Sequence, residues 1–140
     1  MRRLRIQVGI VFGTCLLLAG PCLGQERFES GRYIGFTKYS AFAIVELQDP
    51  FTMREAKGVI QYPNSSDPLP NVLVEFRDTS GKIKATKTDS HGQFRFHGLR
   101  EGTYMFKTTL VGFQSVVGTI VVRRHVQGSE GITIKMPLGV

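Results

Sequence analysis

Between residues 56 and 138, apolar and polar residues alternate in short runs, and every break between runs contains glycine, proline or aspartate. A period of two is the pleat of a β-strand, which sends successive side chains to opposite faces. The runs are AKGVIQY (56–62), NVLVEFR (71–77), KIKATKT (82–88), QFRFHGL (93–99), TYMFKTTL (103–110), QSVVGTIVVRR (114–124) and GITIKMPL (131–138). In the second, Val72, Val74 and Phe76 oppose Leu73, Glu75 and Arg77; in the last, Ile132, Ile134 and Met136 share a face. No segment carries a helical period. Seven strands separated by turn signals predict an all-β sandwich.

The densest run of chemistry-bearing residues is TDSHGQFRFHGLREGTYMF (88–106). Its Asp89, His91 and His97 raise the question of a ligand or catalytic site. Residues 89–92 fit a type I turn, with Asp89 capping the backbone and Gly92 free to take φ > 0. Phe94 and Phe96 then point one way and Gln93, Arg95 and His97 the other, while Tyr104 and Phe106 resume on one face. The expected result is a corner with an aromatic core behind it. His91 sits at a turn tip, His97 on the polar face of a strand and His125 in a distant loop. This spacing does not assemble the three or four ligands that a zinc site needs. No recognisable nucleophile motif and no singled-out carboxylate pair accompanies them. No catalytic, metal or cofactor-binding residue is therefore assigned.

Residues 1–24, MRRLRIQVGIVFGTCLLLAGPCLG, have a basic start, an apolar run from 8 to 20, and small residues before Gln25. That is the layout of a secretory signal peptide, and the run is shorter than the roughly 20 apolar residues of a membrane span. Cleavage after Gly24 puts Cys22 and Gly24 at the −3 and −1 positions. An alternative end makes Cys22 a lipidated first residue, although Pro21 stands where a lipoprotein box wants a small residue. Cleavage after Gly24 leaves 116 of the 140 residues, removes both cysteines and three arginines, and takes the formal net charge from +7 to +4. Disulfides and thiol chemistry then drop out. The remaining cations, among them Lys82, Lys84, Lys87, Arg95, Lys107, Arg123, Arg124 and Lys135, are dispersed along strand-like runs as on a solvated sheet face, which argues against nucleic acid. The expected location is exported, periplasmic or extracellular, with an outer-membrane lipoprotein as the alternative. Residues 25–55 form an arm in which RYIGFTKY and SAFAIVELQDP look extended and fit one or two edge strands. Asp49-Pro50 reads as a stop before the main domain, 56–140.

The string from Gly58 through Pro68-Leu69-Pro70, Thr88-Asp89, Gly92-Gln93-Phe94, Leu99, Gly102-Thr103-Tyr104 and Gly112-Phe113 resembles the carboxypeptidase regulatory-like domain of the transthyretin-like (prealbumin-like) group. The resemblance covers about 56–137 and implies a seven-stranded Greek-key sandwich, transthyretin-like and immunoglobulin-like. Such domains accompany peptidases, outer-membrane receptors and surface proteins as non-catalytic modules, and resemble carbohydrate-binding folds. The expected role is protein interaction or scaffolding with an envelope protein, through strand edges or the loops 63–70 and 123–130. The alternative is glycan binding, for which Tyr33, Tyr39 and Tyr62 are candidate stacking platforms. Asn64-Ser65-Ser66 matches a glycosylation sequon, which matters only in a eukaryotic secretory pathway.

Overall fold

The computed structural model of the protein describes residues 33, 35–37, 43–127 and 131–139. The signal-like residues 1–24, Cys22 and Tyr39 lie outside them. Among the described residues are nine strands and no helix: β1 (Ile44–Glu46), β2 (Phe51–Met53), β3 (Lys57–Gln61), β4 (Leu73–Arg77), β5 (Ile83–Lys87), β6 (Gln93–Arg95), β7 (Gly102–Thr109), β8 (Ser115–Val122) and β9 (Ile132–Lys135). All seven runs expected from residue 56 onward form, as β3 to β9. The arm supplies the other two.

β5, β4, β7 and β8 lie side by side and antiparallel, and β1 and β2 both run parallel to β8 along its other edge, making a six-stranded sheet. β6, β3 and β9 form a three-stranded second sheet. Asp49-Pro50 does not stop the strand pattern. Glu46 pairs with Val117 and Phe51 with Ile120, so four residues of the arm bulge past two of β8. Proline has no N–H to give a ladder, which accounts for the bulge at that point. Of the other expected extended piece, 32–39, only residues 33 and 35–37 are described; there Gly35 has φ +93° and the Phe36 amide donates to the Tyr33 carbonyl.

The core lies between the sheets. Val74, Phe76, Tyr104, Phe106, Val116, Ile120 and Val122 come from the large sheet, and Ile60, Phe94, Ile132 and Ile134 from the small one. Phe76 is the hub: its ring stacks on Phe96 at 4.2 Å between centroids and lies 6.3–6.4 Å from Phe94, Tyr104 and Phe106. Each fully buried side chain of this size stabilises the fold by roughly 1.5–3 kcal/mol. Gly58 has a packing reason for its place in β3. A Cβ there would lie 2.4 Å from the Ile132 carbonyl oxygen, so only glycine lets β3 and β9 meet.

The loops sort to two ends of the sandwich. At one end are 62–70, 88–92, 110–114 and 136–139, tied by backbone bonds from Leu69 to Ile60, Ile60 to Gly92, Gln114 to Pro137 and Gly139 to Gly112. At the other are the turn 78–81 and the segments 96–101 and 123–127.

Candidate functional site

The residues that raised the question of a site are a corner. Asp89 Oδ1 accepts from the amides of His91 and Gln93, both at 2.9 Å, and the Gly92 amide donates to the Asp89 carbonyl at 3.0 Å. Asp89 is thus occupied as a turn cap. His91, His97 and His125 are all exposed. His91 lies at one end of the sandwich, and His97 and His125 lie toward the other. Among the described residues no three of His, Cys, Asp and Glu come together.

At one end of the molecule three large apolar side chains stand out of otherwise polar loops. Tyr62, Val111 and Leu138 are 40%, 88% and 53% exposed. The Phe113 ring meets Tyr62 edge-on at 5.6 Å, and Phe113 bridges to Leu138. The loop 63–70 beside them is well tied. Leu69 is buried, Tyr62 N–H donates to the Asp67 carbonyl at 3.0 Å, and Thr88 Oγ1 donates to the Leu69 carbonyl at 2.7 Å. Of the three candidate tyrosines, Tyr62 is therefore displayed on a fixed frame, while Tyr33 is half-buried. Phe113 enters the sequence reading only as part of the Gly112-Phe113 motif, and Val111 and Leu138 carry no signal of their own as exposed contacts. The legible signal was VGF, a turn with apolar residues on both sides of its glycine.

The other end is basic. A cleft of about 350 Å³ opens between the 78–84 and 98–104 segments, lined by Asp78, Lys82, Lys84, Leu99, Arg100 and Tyr104 over Phe76. Both walls are fixed. Asp78 Oδ1 accepts from the Ser80 hydroxyl and from the Ser80 and Lys82 amides. The Ser80 hydroxyl, foremost, and the Lys82 amide hold its carboxyl below the usual carboxylate range. Opposite, the Tyr104 hydroxyl donates to the Arg100 carbonyl at 2.8 Å and pins the turn that carries Arg100. Tyr104→Phe is expected to cost about 1 kcal/mol, the worth of one intramolecular hydrogen bond. Urea unfolding checks it, with β7 packing otherwise kept.

A third feature corrects the reading of Lys107 as part of a solvated sheet face. Lys107 is only 3% exposed, and its cross-strand partner Glu75 only 4%. They sit on the outer face of the large sheet, under the arm. The Thr37 amide donates to Glu75 Oε1 and Oε2 at 3.1 and 3.2 Å, and the Thr37 hydroxyl donates to Oε1 at 2.8 Å. The Lys107 ammonium donates to the Thr37 carbonyl. Next to this clamp the Arg77 guanidinium lies 5.1 Å over the Phe36 ring. Strand alternation puts Glu75 and Lys107 on the outward face, but nothing local in the sequence says that Thr37, 38 positions before the one and 70 before the other, covers them.

Residues 56–137 match the carboxypeptidase regulatory-like domain family. No curated protein matches the chain. Among solved structures the chain is similar to 3-chlorocatechol 1,2-dioxygenase from Rhodococcus opacus 1CP, at 15% identity and a TM-score of 0.38, over 59% of this chain and 52% of that one. The overlap thus spans about half of the dioxygenase.

Proposed function

The chain belongs to the carboxypeptidase regulatory-like domain family, and from that premise we propose that it works as a non-catalytic, exported module that docks a protein partner of the cell envelope. The observation that carries this reading is the apolar end. Three large apolar side chains in solvent, on loops held by backbone hydrogen bonds, cost solubility and serve no core. Phe113 joins Tyr62 to Leu138, Val111 lies two residues from Phe113, and exposed apolar patches mark interaction sites. The basic start and apolar run of residues 1–24 support export. No helix among the described residues is long and apolar enough to cross a membrane.

Glycan binding is the second reading, and the exposed Tyr62 ring favours it, since sugars stack on aromatic faces. One experiment separates the two. The immobilised full chain is offered a detergent-solubilised envelope extract, peptidoglycan and insoluble polysaccharides side by side. Docking is expected to retain a discrete protein that Val111→Asp and Leu138→Asp release, with no glycan held. Retention of a glycan that Tyr62→Ala abolishes would replace docking by carbohydrate binding. Val111→Asp and Leu138→Asp, on exposed side chains, are expected to stay within about 0.5 kcal/mol of the parent in urea unfolding, while Tyr62→Ala also gives up its edge-on contact with Phe113 and is expected to cost about 1 kcal/mol.

A further inference from the structure

We propose that the cleft at the basic end is a binding site for a small hydroxylated anion, a sugar acid or a sugar phosphate. The inference is independent of the docking reading, which rests on the opposite end of the molecule.

Three cations line the cleft, from two separate segments of the chain. Lys84 pairs across the strands with Phe76, a core residue, so its side chain leaves β5 on the inner face, at the place where the sandwich opens. Inward charge on an edge strand is a familiar protection against edge-to-edge pairing, and it would account for Lys84 by itself. It does not account for Arg100, which enters from the turn before β7 on the other wall. Nor do these charges answer one another. Among the described residues Lys84 and Arg100 make no ion pair or side-chain hydrogen bond, whereas Lys57 and Arg95, on the paired strands β3 and β6, share Glu55 at 3.6 and 3.7 Å. The cleft holds Lys82, Lys84 and Arg100 against one carboxylate, Asp78, leaving a surplus of two positive charges.

The same carboxylate narrows the ligand. Oδ1 of Asp78 is filled by three turn donors, while Oδ2 has no hydrogen-bond partner among the described residues. An acceptor beside cations suits a ligand that carries hydroxyl donors as well as negative charge. A guanidinium is a planar fork matched to a carboxylate or phosphate, and Arg100 is among the residues that line the cleft. Leu99 and the Tyr104 ring supply an apolar wall for the carbon skeleton. A volume of about 350 Å³ lies at the small end of ligand pockets, which run from about 300 to 1,000 Å³. Both walls are already fixed, by the Asp78 cap and the Tyr104–Arg100 bond, so little ordering is left for binding to oppose.

The test is a titration of the ¹⁵N-labelled full chain with glucuronate, glucose 6-phosphate, glucose, acetate and inorganic phosphate, followed by amide shifts at constant ionic strength. Glucuronate or glucose 6-phosphate is expected to move the signals of residues 82–84 and 98–100 in a saturable way. The one that binds tighter names the anionic group. Glucose is expected to move none of them. Arg100→Glu and Lys84→Glu, both on exposed side chains, should each weaken binding at least tenfold while the rest of the spectrum stays folded. Asp78→Asn, which keeps a capping oxygen, should bring the sugar acid down to the affinity of acetate. Unsaturable shifts spread over the surface, equal binding by glucose, or unchanged affinity in Arg100→Glu would overturn the site. Inorganic phosphate and acetate binding as tightly as their sugar counterparts would overturn the hydroxyl recognition.

Discussion

Gly92→Ala is expected to destabilise the protein by about 3–5 kcal/mol, whereas Gly98→Ala, the same change at nearly the same backbone angle, should cost only about 1–2 kcal/mol. Gly92 has φ +68° and Gly98 φ +67°, a conformation in which a Cβ crowds the following carbonyl. The two sites differ in what surrounds them. At Gly98 an added Cβ meets nothing within 4 Å, while at Gly92 it would lie 2.5 Å from the Ile60 carbonyl oxygen and 2.9 Å from Pro68 Cβ. Neither neighbour can swing away, because Ile60 belongs to the central strand of the small sheet and Leu69, next to Pro68, donates its amide to Ile60. The turn must back off, which also strains the bond from the Ile60 amide to the Gly92 carbonyl, 2.8 Å long. Domains of this size are stable by only about 5–15 kcal/mol, so the Gly92 variant should unfold at a much lower urea concentration. Equal losses at the two glycines would mean that backbone strain alone acts, and that the 88–92 corner does not pack firmly on the 63–70 loop.

That corner was legible in the sequence because its causes are local. Asp at the first turn position, Gly at the fourth and alternating phenylalanines after it each act within a few residues, and the burial of Phe94 and Phe96 with exposure of Gln93, Arg95 and His97 follows. The same holds for all seven strands of the main domain. What was not legible depends on chain segments meeting over long separations. Asp49-Pro50 carries a true local signal, an interruption, but whether the chain leaves the sheet or bulges and rejoins it depends on β8. Lys84 and Lys107 look alike in sequence, each a lysine in an alternating strand. One faces the opening between the sheets and the other is sealed beneath the arm, and only the pairing of β5 with β4, and of Thr37 with Glu75, tells them apart. The exposed cluster at the apolar end has the same origin. Tyr62 and Val111 come from different loops and Leu138 from the tail, and β7, β8 and β9 bring them to one place.

The sealed lysine gives the second large expected effect. Lys107→Met should leave the Glu75 carboxylate buried without its counter-charge, and Glu75→Leu should leave a buried ammonium facing only the Thr37 carbonyl. Removing one partner of a buried charge pair costs about 3–5 kcal/mol, whereas replacing both by apolar groups of similar size is often close to neutral. The double variant Glu75→Leu/Lys107→Met is therefore expected to be more stable than either single one, with a coupling of about 2 kcal/mol or more in a urea double-mutant cycle. The two charges act through Thr37, so a coupling near zero would mean that the arm does not hold them. Alkaline pH adds an independent reading. Burial pushes the Lys107 ammonium below the ordinary lysine value of 10.5, and the nearby Glu75 offsets this only in part. In the window between the lowered value and 10.5 the unfolded chain holds this proton more tightly than the folded one, so stability rises with pH across it. Below that window the cost of the buried charge is fully present, and above 10.5 it is gone. The stability of the parent relative to Lys107→Met is thus expected to rise as the pH approaches 10.5. A difference that stays flat with pH would put Lys107 in water and the arm off the sheet.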